Sequence, residues 1–491
     1  MKRFAALTIA ACLALASCRA EAAEQSSHRA ASANEASAKE AGAKGRPNIV
    51  FVLTDDLAGN LVQYMPKLQG MQRQGTTFSH YFVTDSLCCP SRSTTFTGEF
   101  PHNTGVFTNG GADGGYEAFN ANGNQQKTFA TTLKAAGYRT AMMGKYLNGY
   151  EPQDPVPPGW TEWDVAGNGY PEFDYSLNEN GHVVQYGHQP SDYLVDVLNR
   201  KGQNFIGQSA KAGQPFMLEL ATFAPHGPFT PAPRDANRFP GLKAPRGPAF
   251  NEADMSDKPA WIKSHPKLNK KQIKKIDTSF RKRAQAVQSV DKMIGDIQTA
   301  LKANGVDRDT YIMFGSDNGF HMGEHRLMQG KMTAFDTDVN VPFVVKGPGV
   351  AAGHTSTELA QNTDLCPTFE DLGGAPVPDT VDGRSLVPFF SGDAVKKTRD
   401  AVLVEHHGPD HLANDPDLPT RASGNPPSYE AIRTKQDVYV EYADGEREYY
   451  DVRKDPNELD NAIRRVPAQR LNQLKSMLHR LEKCSGKECR P

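Results

Sequence analysis

The chain has few cysteines, little net charge and no long hydrophobic run. Its 491 residues include 7 cysteines, too few for a disulfide-built scaffold and odd in number, so at least one thiol is unpaired. Lys and Arg number 55 against 57 Asp and Glu, and the net charge of −2 argues against nucleic-acid binding through bulk charge. With 43 Gly and 34 Pro, the chain is not a coiled coil or helical array, and a loop-rich globular fold is predicted.

The N-terminus predicts an export signal. A charged start precedes an apolar run over residues 4–16, which is too short to span a bilayer as a helix. The run ends in Leu-Ala-Ser-Cys at residues 15–18, which resembles a bacterial lipobox and predicts acylation of Cys18. Ordinary signal cleavage a few residues later is the alternative. We expect an exported protein, held at the bacterial cell surface or in the periplasm by a lipid on Cys18 and by no other membrane attachment.

The remaining chain predicts an α/β fold with a smaller second domain. After the signal peptide (1–17), residues 18–45 are rich in Ala, Ser, Glu and Lys without an aromatic residue, which predicts a flexible tether. Short apolar runs alternate with helical segments over 46–395, typical of a large, mostly parallel sheet sandwiched by helices. The clearest of these helices is predicted over 283–304, where apolar residues recur every three to four positions. Hairpin signals and a terminal helix over 468–481 predict an α+β subdomain with an antiparallel sheet over 396–491.

Chemically active side chains occur just after each of four predicted strands. The carboxyl ends of parallel strands form one edge of an α/β sheet, where ligands bind. Three carboxylates and an amide oxygen suit a hard divalent cation, with Ca²⁺ ahead of Mg²⁺. Taken singly, each residue also fits an ordinary turn or helix cap. The residues are Asp55 and Asp56, Lys145, His226, and Asp317 with Asn318.

One short segment carries the strongest signal. Residues 86–98 read Ser-Leu-Cys-Cys-Pro-Ser-Arg-Ser-Thr-Thr-Phe-Thr-Gly. Pro90 is suited to the start of a helix and Gly98 to its end. Cys88 is therefore predicted near a helix N-terminus, where free N–H groups favour an anion. The adjacent cysteines also fit a buried thiol pair or a vicinal disulfide.

This segment resembles the signature of the type I sulfatase family, Cys-x-Pro-Ser-Arg followed closely by Thr-Gly. The offsets of Pro and Arg select Cys88, not Cys89, as the position converted to formylglycine. Segments 144–148 and 250–259 look most like the branch of N-acetylglucosamine-6-sulfatases and extracellular heparan 6-O-endosulfatases. The resemblance covers nearly the whole mature chain, with further matches at 47–56, 144–148, 225–228, 316–319 and 450–456.

The resemblance implies hydrolysis of aryl or carbohydrate sulfate monoesters, an alkaline-phosphatase-like fold, and a catalytic domain over 46–395. It implies that a hydroxyl of the hydrated formylglycine at position 88 attacks sulfur and expels the alcohol, after which the second hydroxyl loses its proton and sulfate leaves as the aldehyde returns. A formylglycine-generating enzyme is the implied maturation partner, and a sulfated small molecule or glycan the implied substrate. The implied metal ligands are Asp55, Asp56, Asp317 and Asn318.

The resemblance also implies roles for the remaining polar residues. Arg92 would hold the formylglycine hydroxyl. Lys145, His226 and Lys331 would surround the sulfate oxygens and stabilise the charge that builds at transfer. His226 or His325 would protonate the leaving oxygen, with His321 competing for the place of His325.

Two other functions remain open at this stage. One is a phosphonate or phosphate diester hydrolase of the same superfamily, and the other a non-catalytic surface lipoprotein with Cys88 unmodified. Residues 263–283 contain nine Lys or Arg against a single acid, Asp277. This run predicts either a groove wall for a sulfated polysaccharide or a solvated helix face.

The remaining cysteines have simpler expected roles. Cys484 and Cys489 lie close together in an exported protein, and we expect them to form a disulfide with a small loop. Cys89 and Cys366 are then expected to be free, buried thiols.

Overall fold

A ten-stranded sheet forms the centre of the fold in the computed structural model, which describes residues 45–396, 398–413 and 415–490. The predicted signal peptide, Cys18 and almost all of the predicted tether lie outside these ranges. Among the described residues, no helix combines the length and apolar character needed to cross a bilayer.

The strands are numbered β1 to β18 in chain order. Their bounds are β1 (Asn48–Thr54), β2 (Thr76–Phe78), β3 (Tyr81–Phe82), β4 (Arg139–Lys145), β5 (Glu162–Ala166), β6 (Ser176–Glu179), β7 (His182–Gln185), β8 (Phe216–Ala221), β9 (Thr310–Ser316), β10 (His321–Met322), β11 (Gln329–Gly330), β12 (Phe343–Lys346), β13 (His354–Ser356), β14 (Ala360–Gln361), β15 (Val402–His406), β16 (Tyr429–Arg433), β17 (Asp437–Tyr442) and β18 (Arg447–Asp451).

The α-helices are numbered in the same way. Their bounds are α1 (Pro66–Gln74), α2 (Cys88–Thr97), α3 (Pro101–Thr104), α4 (Gly115–Ala121), α5 (Phe129–Ala135), α6 (Leu194–Ala212), α7 (Ala260–Lys263), α8 (Lys270–Ala303), α9 (Asp336–Val339), α10 (Leu365–Gly373) and α11 (Ala468–Leu481).

The central sheet has the strand order β13-β2-β12-β9-β1-β8-β4-β5-β6-β7. Its five middle strands, β9 to β5 in that order, all run parallel. The flanking strands β12, β6 and β7 join their neighbours antiparallel. The predicted large, mostly parallel sheet is thereby confirmed.

Both faces of the sheet are buried, because successive side chains of a strand point to opposite faces. On β1, Ile49 and Phe51 belong to one hydrophobic cluster, which includes residues of α2, α5 and α10. Val50 and Val52 belong to a second cluster, which includes residues of α1, α6 and α8. Helices therefore cover both faces, which explains why β1 is apolar from Ile49 to Leu53.

A second sheet follows near the C-terminus, with the antiparallel order β15-β16-β17-β18. Leu474 and Leu478 of α11 pack in one cluster with Ile432 of β16. The antiparallel sheet and the terminal helix are as predicted. Cys484 and Cys489 form the predicted disulfide, and Cys89 and Cys366 are free and buried, also as predicted.

Helix α8 is longer than the sequence pattern predicted. A helix was expected from residue 283, whereas α8 begins at Lys270. The Asn269 side chain accepts hydrogen bonds from the backbone N–H groups of Lys271 and Gln272 in the first turn. The Gln272 side chain in turn accepts from the backbone N–H of Asn269, which completes a capping box. Ile276 and Phe280 extend the buried face, so the basic run belongs to the same helix as the apolar stripe.

Glu219 of β8 is a buried carboxyl in the centre of the sheet. Both of its carboxylate oxygens lack a hydrogen-bond partner among the described residues. Burial raises the pKa of Glu219 from 4.5 to about 8, although the positive charge of Arg92 opposes this. The neutral carboxyl is therefore the form that the fold accepts.

Glu219→Gln is expected to reduce the loss of stability at alkaline pH. Since the folded pKa lies above the unfolded value, the contribution of the neutral carboxyl is complete below the unfolded pKa and is lost as pH rises towards the folded pKa. The melting temperature of the wild type should fall by several degrees more than that of the variant between about pH 5 and pH 9. Parallel melting curves for the two proteins across this range would contradict the assignment.

Candidate active site

The middle strands end at one level, and their register brings the polar residues together. Thr54 at the end of β1 pairs with Ser316 at the end of β9. Leu53 of β1 and Gly144 of β4 both pair with Ala221, the last residue of β8. The residues that follow these positions are those singled out from the sequence. The structure therefore places them at one edge of the sheet.

Cys88 is the first residue of α2, as the helix signals around it predicted. The helix ends at Gly98, whose φ of 73° is in the left-handed region that glycine favours. The Cys88 Sγ lies 3.1 Å from Asp55 Oδ1 and 2.9 Å from Lys331 Nζ. Burial, followed by the charges of Asp417 and Asp55, raises the pKa of the Cys88 thiol well above its usual value, so the unmodified thiol is neutral.

Lys145 is positioned by a close approach between β4 and β8. Gly144 has a φ of 107°, and a Cβ there would lie 1.9 Å from the carbonyl oxygen of Ala221, so only glycine fits. Lys145 Nζ donates to Asp55 Oδ2 at 2.6 Å. Burial lowers the pKa of Lys145, but Asp55 outweighs burial and raises it well above its usual value. Lys145 is therefore a fixed cation in the site.

Lys331 is the second buried lysine. Its Nζ is 2.7 Å from Asp56 Oδ1 and 3.0 Å from Asp417 Oδ1, in addition to its contact with the Cys88 thiol. Its pKa is also raised well above the usual value, because Asp417 and Asp56 outweigh the effect of burial. Two buried cations therefore serve the Cys88 site in a region of low dielectric: Lys331 contacts the thiol, and Lys145 contacts Asp55, which the thiol also contacts.

Arg92, on the first turns of α2, contacts Asp317. Its Nε donates to Asp317 Oδ2 at 2.8 Å, and its Nη1 donates to the backbone oxygen of Lys145 at 2.8 Å. Both partners of the ion pair are fully buried. The structure therefore gives Arg92 a positioning role that the resemblance did not specify: it fixes Asp317 and the end of β4 together.

The carboxylates form a candidate cation site. Asp55, Asp56, Cys88 and His226 offer ligand atoms that all lie within 4.8 Å of one another. Asn318 donates from Nδ2 to Asp56 Oδ1 at 2.7 Å, while its buried Oδ1 has no hydrogen-bond partner in the described chain. An unpartnered amide oxygen beside two carboxylates fits a hard divalent cation, and a neutral thiol is a poor ligand beside them. Asp317 follows the same strand end, with its Oδ1 accepting from the Asp56 backbone at 3.2 Å.

His226 faces the carboxylates. Its Nε2 is 2.6 Å from Asp417 Oδ1 and 3.7 Å from Asp56 Oδ2, and its Nδ1 is 2.7 Å from the backbone oxygen of Gly227. Burial lowers the pKa of His226, but Asp56 and Asp417 outweigh it and raise the pKa to about 9. The doubly protonated imidazolium can therefore donate from both nitrogens.

The other two candidate histidines are held by different partners. His325 Nδ1 lies 2.6 Å from Glu252 Oε2, and its ring stacks on Phe335 at 3.9 Å. Burial, with Lys258, lowers the pKa of His325 well below its usual value. His321 lies between Asp338 and the backbone oxygen of Ser423, each at 2.9 Å. Of the three histidines, the geometry favours His226 as proton donor.

Several residues in or beside the site carried no recognisable sequence signal. Asp417 lies in the loop between β15 and β16, and besides Lys331 and His226 its carboxylate is 3.4 Å from Cys88 Sγ. Asn109 accepts from the Cys89 backbone at 3.0 Å and donates to Asp417 Oδ2 at 2.9 Å. Arg283 of α8 donates to the backbone oxygen of Asp56. Arg283 lies in the basic run, but nothing in the sequence separated it from its neighbours.

A cavity of about 270 Å³ opens over this site. Its wall combines the charged groups at the strand ends with an apolar side formed by residues of several loops. The lining includes Asp56, His226, Lys331 and Asp417, the apolar residues Phe229, Phe320, Met328 and Leu418, and Lys275 of α8. A ligand here would have an anionic group against the cations and a bulkier part against the apolar wall.

Comparisons with known proteins identify the family. The profile described as Sulfatase matches residues 47–375, and the profile described as N-sulphoglucosamine sulphohydrolase, C-terminal, matches residues 323–485. The chain is 33% identical over 478 residues to N-acetylglucosamine-6-sulfatase of Homo sapiens, covering 91% of this chain and 86% of that protein. It is 36% identical over 372 residues to the putative extracellular sulfatase Sulf-1 homolog of Caenorhabditis elegans, covering 73% of this chain and 52% of that protein.

The fold is also shared with solved structures. The structure of BT4656 in complex with its substrate D-glucosamine-2-N,6-O-disulfate superposes with a TM-score of 0.74 at 24% identity, covering 89% of this chain and 98% of that chain. This likeness establishes a common architecture. Together with the profile match over the catalytic region and the relatives of nearly full length, it confirms the prediction from residues 86–98. The chain belongs to the sulfatase family and is a sulfuric ester hydrolase.

Proposed function

We propose that this sulfatase removes the sulfate ester at the 6-position of a glucosamine residue in a sulfated glycan. The observation that carries the proposal is the match over 91% of the chain to N-acetylglucosamine-6-sulfatase. The apolar wall formed by Phe229, Phe320 and Leu418 supports it, since a sugar ring can pack there while its sulfate faces the cations. The named relatives are sulfatases, which favours this function over the phosphonate or phosphate diester alternative.

The residues around Cys88 account for sulfate binding. Lys145, Lys331 and the His226 imidazolium provide fixed positive charge in a buried site, where it stabilises the charge that builds on sulfate oxygens during transfer. His226 is the donor that would protonate the leaving sugar oxygen, since its Nε2 faces the cavity side of the cluster. Arg92 holds Asp317 in place, and its charge opposes the rise in the pKa of Asp317 that burial and Asp55 cause.

We also propose that Cys88 is converted to formylglycine and that a divalent cation, Ca²⁺ ahead of Mg²⁺, is held by Asp55, Asp56, Asp317 and Asn318. The modified residue would supply a hydroxyl nucleophile, and the cation would lower the pKa of that hydroxyl. The unpartnered Oδ1 of Asn318 supports the cation site. Maturation requires a formylglycine-generating enzyme, and an intact thiol in a mass spectrum of the Cys88 peptide would instead support a non-catalytic surface protein.

Export with a lipid on Cys18 is proposed for the same protein. The Cys484–Cys489 disulfide supports an oxidising compartment. Labelling cells with a tagged fatty acid tests the anchor: the wild type should be labelled, and Cys18→Ala should not. Equal labelling of the two proteins would overturn the assignment to Cys18, and a soluble, unlabelled wild type would indicate ordinary signal cleavage.

A panel of sulfate esters tests the substrate. We expect N-acetylglucosamine-6-sulfate to be hydrolysed with a kcat/KM at least about tenfold above that of the 3-sulfate isomer, since ring orientation decides which oxygen reaches Cys88. An aryl sulfate and an aryl phosphodiester complete the panel. Preference for the 3-sulfate would reject the proposed position, and a dominant phosphodiesterase rate would reject the proposed reaction class.

Removal of the cation is expected to abolish activity. Asp55 and Asp56 carry adjacent charges whose buried counter-ions include Lys145, Lys331 and His226, and the cation further offsets repulsion between them. Dialysis against a chelator should reduce hydrolysis by at least about 10³-fold and lower the melting temperature. Addition of Ca²⁺ should restore both, and restoration by Mg²⁺ alone would reverse the proposed preference. Unchanged activity after exhaustive chelation would show that the reaction needs no metal ion at this site.

Asp417 occupies the position where sulfate oxygens would bind, because its carboxylate lies between Lys331 and His226. Substrate must displace it, since two anions cannot share these cations. Asp417→Asn is therefore expected to tighten binding of inorganic sulfate by about tenfold, measured by calorimetry. Asp415→Asn is the matched control, because Asp415 lies in the same loop and also accepts from Asn109, but in the described chain it pairs with neither Lys331 nor His226. Weaker sulfate binding by Asp417→Asn would show that the carboxylate supports the anion site.

A further inference from the structure

The N-terminal part of α8 presents a strongly basic surface. Over residues 270–282 the helix has six Lys or Arg, and Asp277 is the only acid. Asp277 pairs with Arg246 at 2.5 Å and so is engaged elsewhere. Five of the basic residues are exposed lysines, and no carboxylate among the described residues pairs with them. We call this set the basic face: Lys270, Lys271, Lys274, Lys275 and Lys282.

The basic face is one side of an amphipathic helix. At 100° per residue its five lysines lie within an arc of about 140°, and they extend about 18 Å along the helix axis. Ile276 and Phe280 lie on the other side and are fully buried. The charge is thus concentrated on one surface, although the whole chain has a net charge of only −2.

The basic face is continuous with the sulfate site. Lys275 lines the cavity that also contains His226 and Lys331. One residue beyond the face, Arg283 is buried and donates to the backbone oxygens of Asp56 and Pro225. Positive charge on α8 therefore extends from the buried Arg283 beside the site to Lys275 at the cavity and to the exposed lysines beyond it.

We propose that the basic face binds anionic groups of a sulfated polysaccharide while one of its sulfate esters lies in the cavity. The inference rests on the proposed function and narrows its substrate from a sulfated sugar to a polyanionic chain. Unpaired, exposed lysines gain little from a single anion in water, but a polymer with regularly spaced charges engages several of them at once. The place of Lys275 in the cavity favours the substrate's own chain over nucleic acid or an anionic membrane.

A charge-removal variant with a matched control tests the proposal. The test variant replaces all five lysines of the basic face with Gln. The control variant replaces the same number of exposed lysines elsewhere: Lys211, Lys243, Lys302, Lys454 and Lys487. Both are made in the full chain, and their melting temperatures establish that they remain folded. If the variant with five substitutions is unstable, the single substitution Lys275→Gln provides a second measurement.

Kinetic measurements distinguish the effect of the substitutions on a polymeric substrate from their effect on a small ester. With heparin as substrate, the test variant should show a KM raised at least about tenfold with kcat nearly unchanged, and its KM should depend less on NaCl concentration. With an aryl sulfate, the control variant should match the wild type, and any rise in KM for the test variant should be much smaller than its rise with heparin. An equal KM for heparin in wild type and test variant, or an equal rise in the control variant, would overturn the proposal.

Binding without turnover keeps this test separate from the proposed function. Cys88→Ala protein, with and without the test substitutions, is passed over immobilised heparin, and N- and O-desulfated heparin serves as the competitor control. Loss of retention in the test variant supports the proposal even if the 6-sulfate preference fails. The proposal would be overturned if desulfated heparin competed as strongly as heparin itself. Preferential binding to duplex DNA or to phosphatidylglycerol vesicles would also overturn it.

Discussion

Cys88→Ala is expected to reduce sulfate ester hydrolysis by at least about 10⁵-fold, to the background of the assay, because it removes the side chain that we propose as the source of the nucleophile. Cys88 Sγ is the atom that lies against both Asp55 and Lys331. The substitution removes a neutral, buried thiol, so the fold should be retained, with a melting temperature within several degrees of the wild type. Hydrolysis of N-acetylglucosamine-6-sulfate and of an aryl sulfate measures the effect.

Cys89→Ala is the matched control for this variant. Cys89 is the adjacent residue on α2 and is equally buried, but its thiol belongs to the hydrophobic cluster on one face of the sheet. Its backbone N–H donates to Asn109, a contact that alanine keeps. We expect Cys89→Ala to retain activity within about threefold. Comparable activities for the two alanine variants would refute the assignment of Cys88.

Lys331→Met is expected to lower kcat/KM by about 10³-fold, since it removes a preorganised cation from a site where sulfate charge must be stabilised. The loss should appear mainly in kcat, because the contact strengthens as charge develops in the transition state. Removal of the ammonium also leaves Asp56 and Asp417 short of a buried counter-ion. A decrease in the free energy of unfolding of about 3 kcal/mol is therefore expected as well.

Lys275→Met provides the control for Lys331→Met. Lys275 lines the same cavity, but it is exposed and contacts none of the carboxylates among the described residues. On an aryl sulfate its activity should equal that of the wild type. If Lys331→Met proves too unstable to assay, calorimetry can measure the binding of inorganic sulfate to Lys331→Gln. That measurement also tests whether Lys331 interacts with the sulfate group. Wild-type kcat in either Lys331 variant would show that this lysine has no part in transfer.

The parts of the fold that follow from local pattern could be predicted from the sequence. Strand β1 is apolar between its two polar end residues because helices cover both faces of the sheet, and this is what its sequence indicates. The terminal helix was predicted at its observed bounds, residues 468–481, because its apolar spacing is regular. Likewise, polar residues directly after parallel strands meet at one edge as a matter of geometry.

Other features depend on tertiary contacts that no local pattern specifies. Asp417 enters the site from a loop after β15, more than three hundred residues from Cys88, and its loop has neither periodicity nor a motif. The start of α8 was missed because the lysines obscured the apolar spacing, although Asn269 with Gln272 was a readable capping signal. The partnership of His325 with Glu252 likewise arises only on folding.

The length of α8 has a consequence for which esters can be cleaved. This helix is continuous from Lys270 to Ala303, so the basic face and Arg283, which holds the backbone of Asp56, belong to one rigid rod. The helix therefore fixes the distance between the basic face and the backbone of Asp56. If the basic face binds the polymer as we propose, we expect the enzyme to favour, along a polysaccharide of irregular sulfation, esters whose neighbouring charges lie at a set spacing over chemically identical esters that lack them.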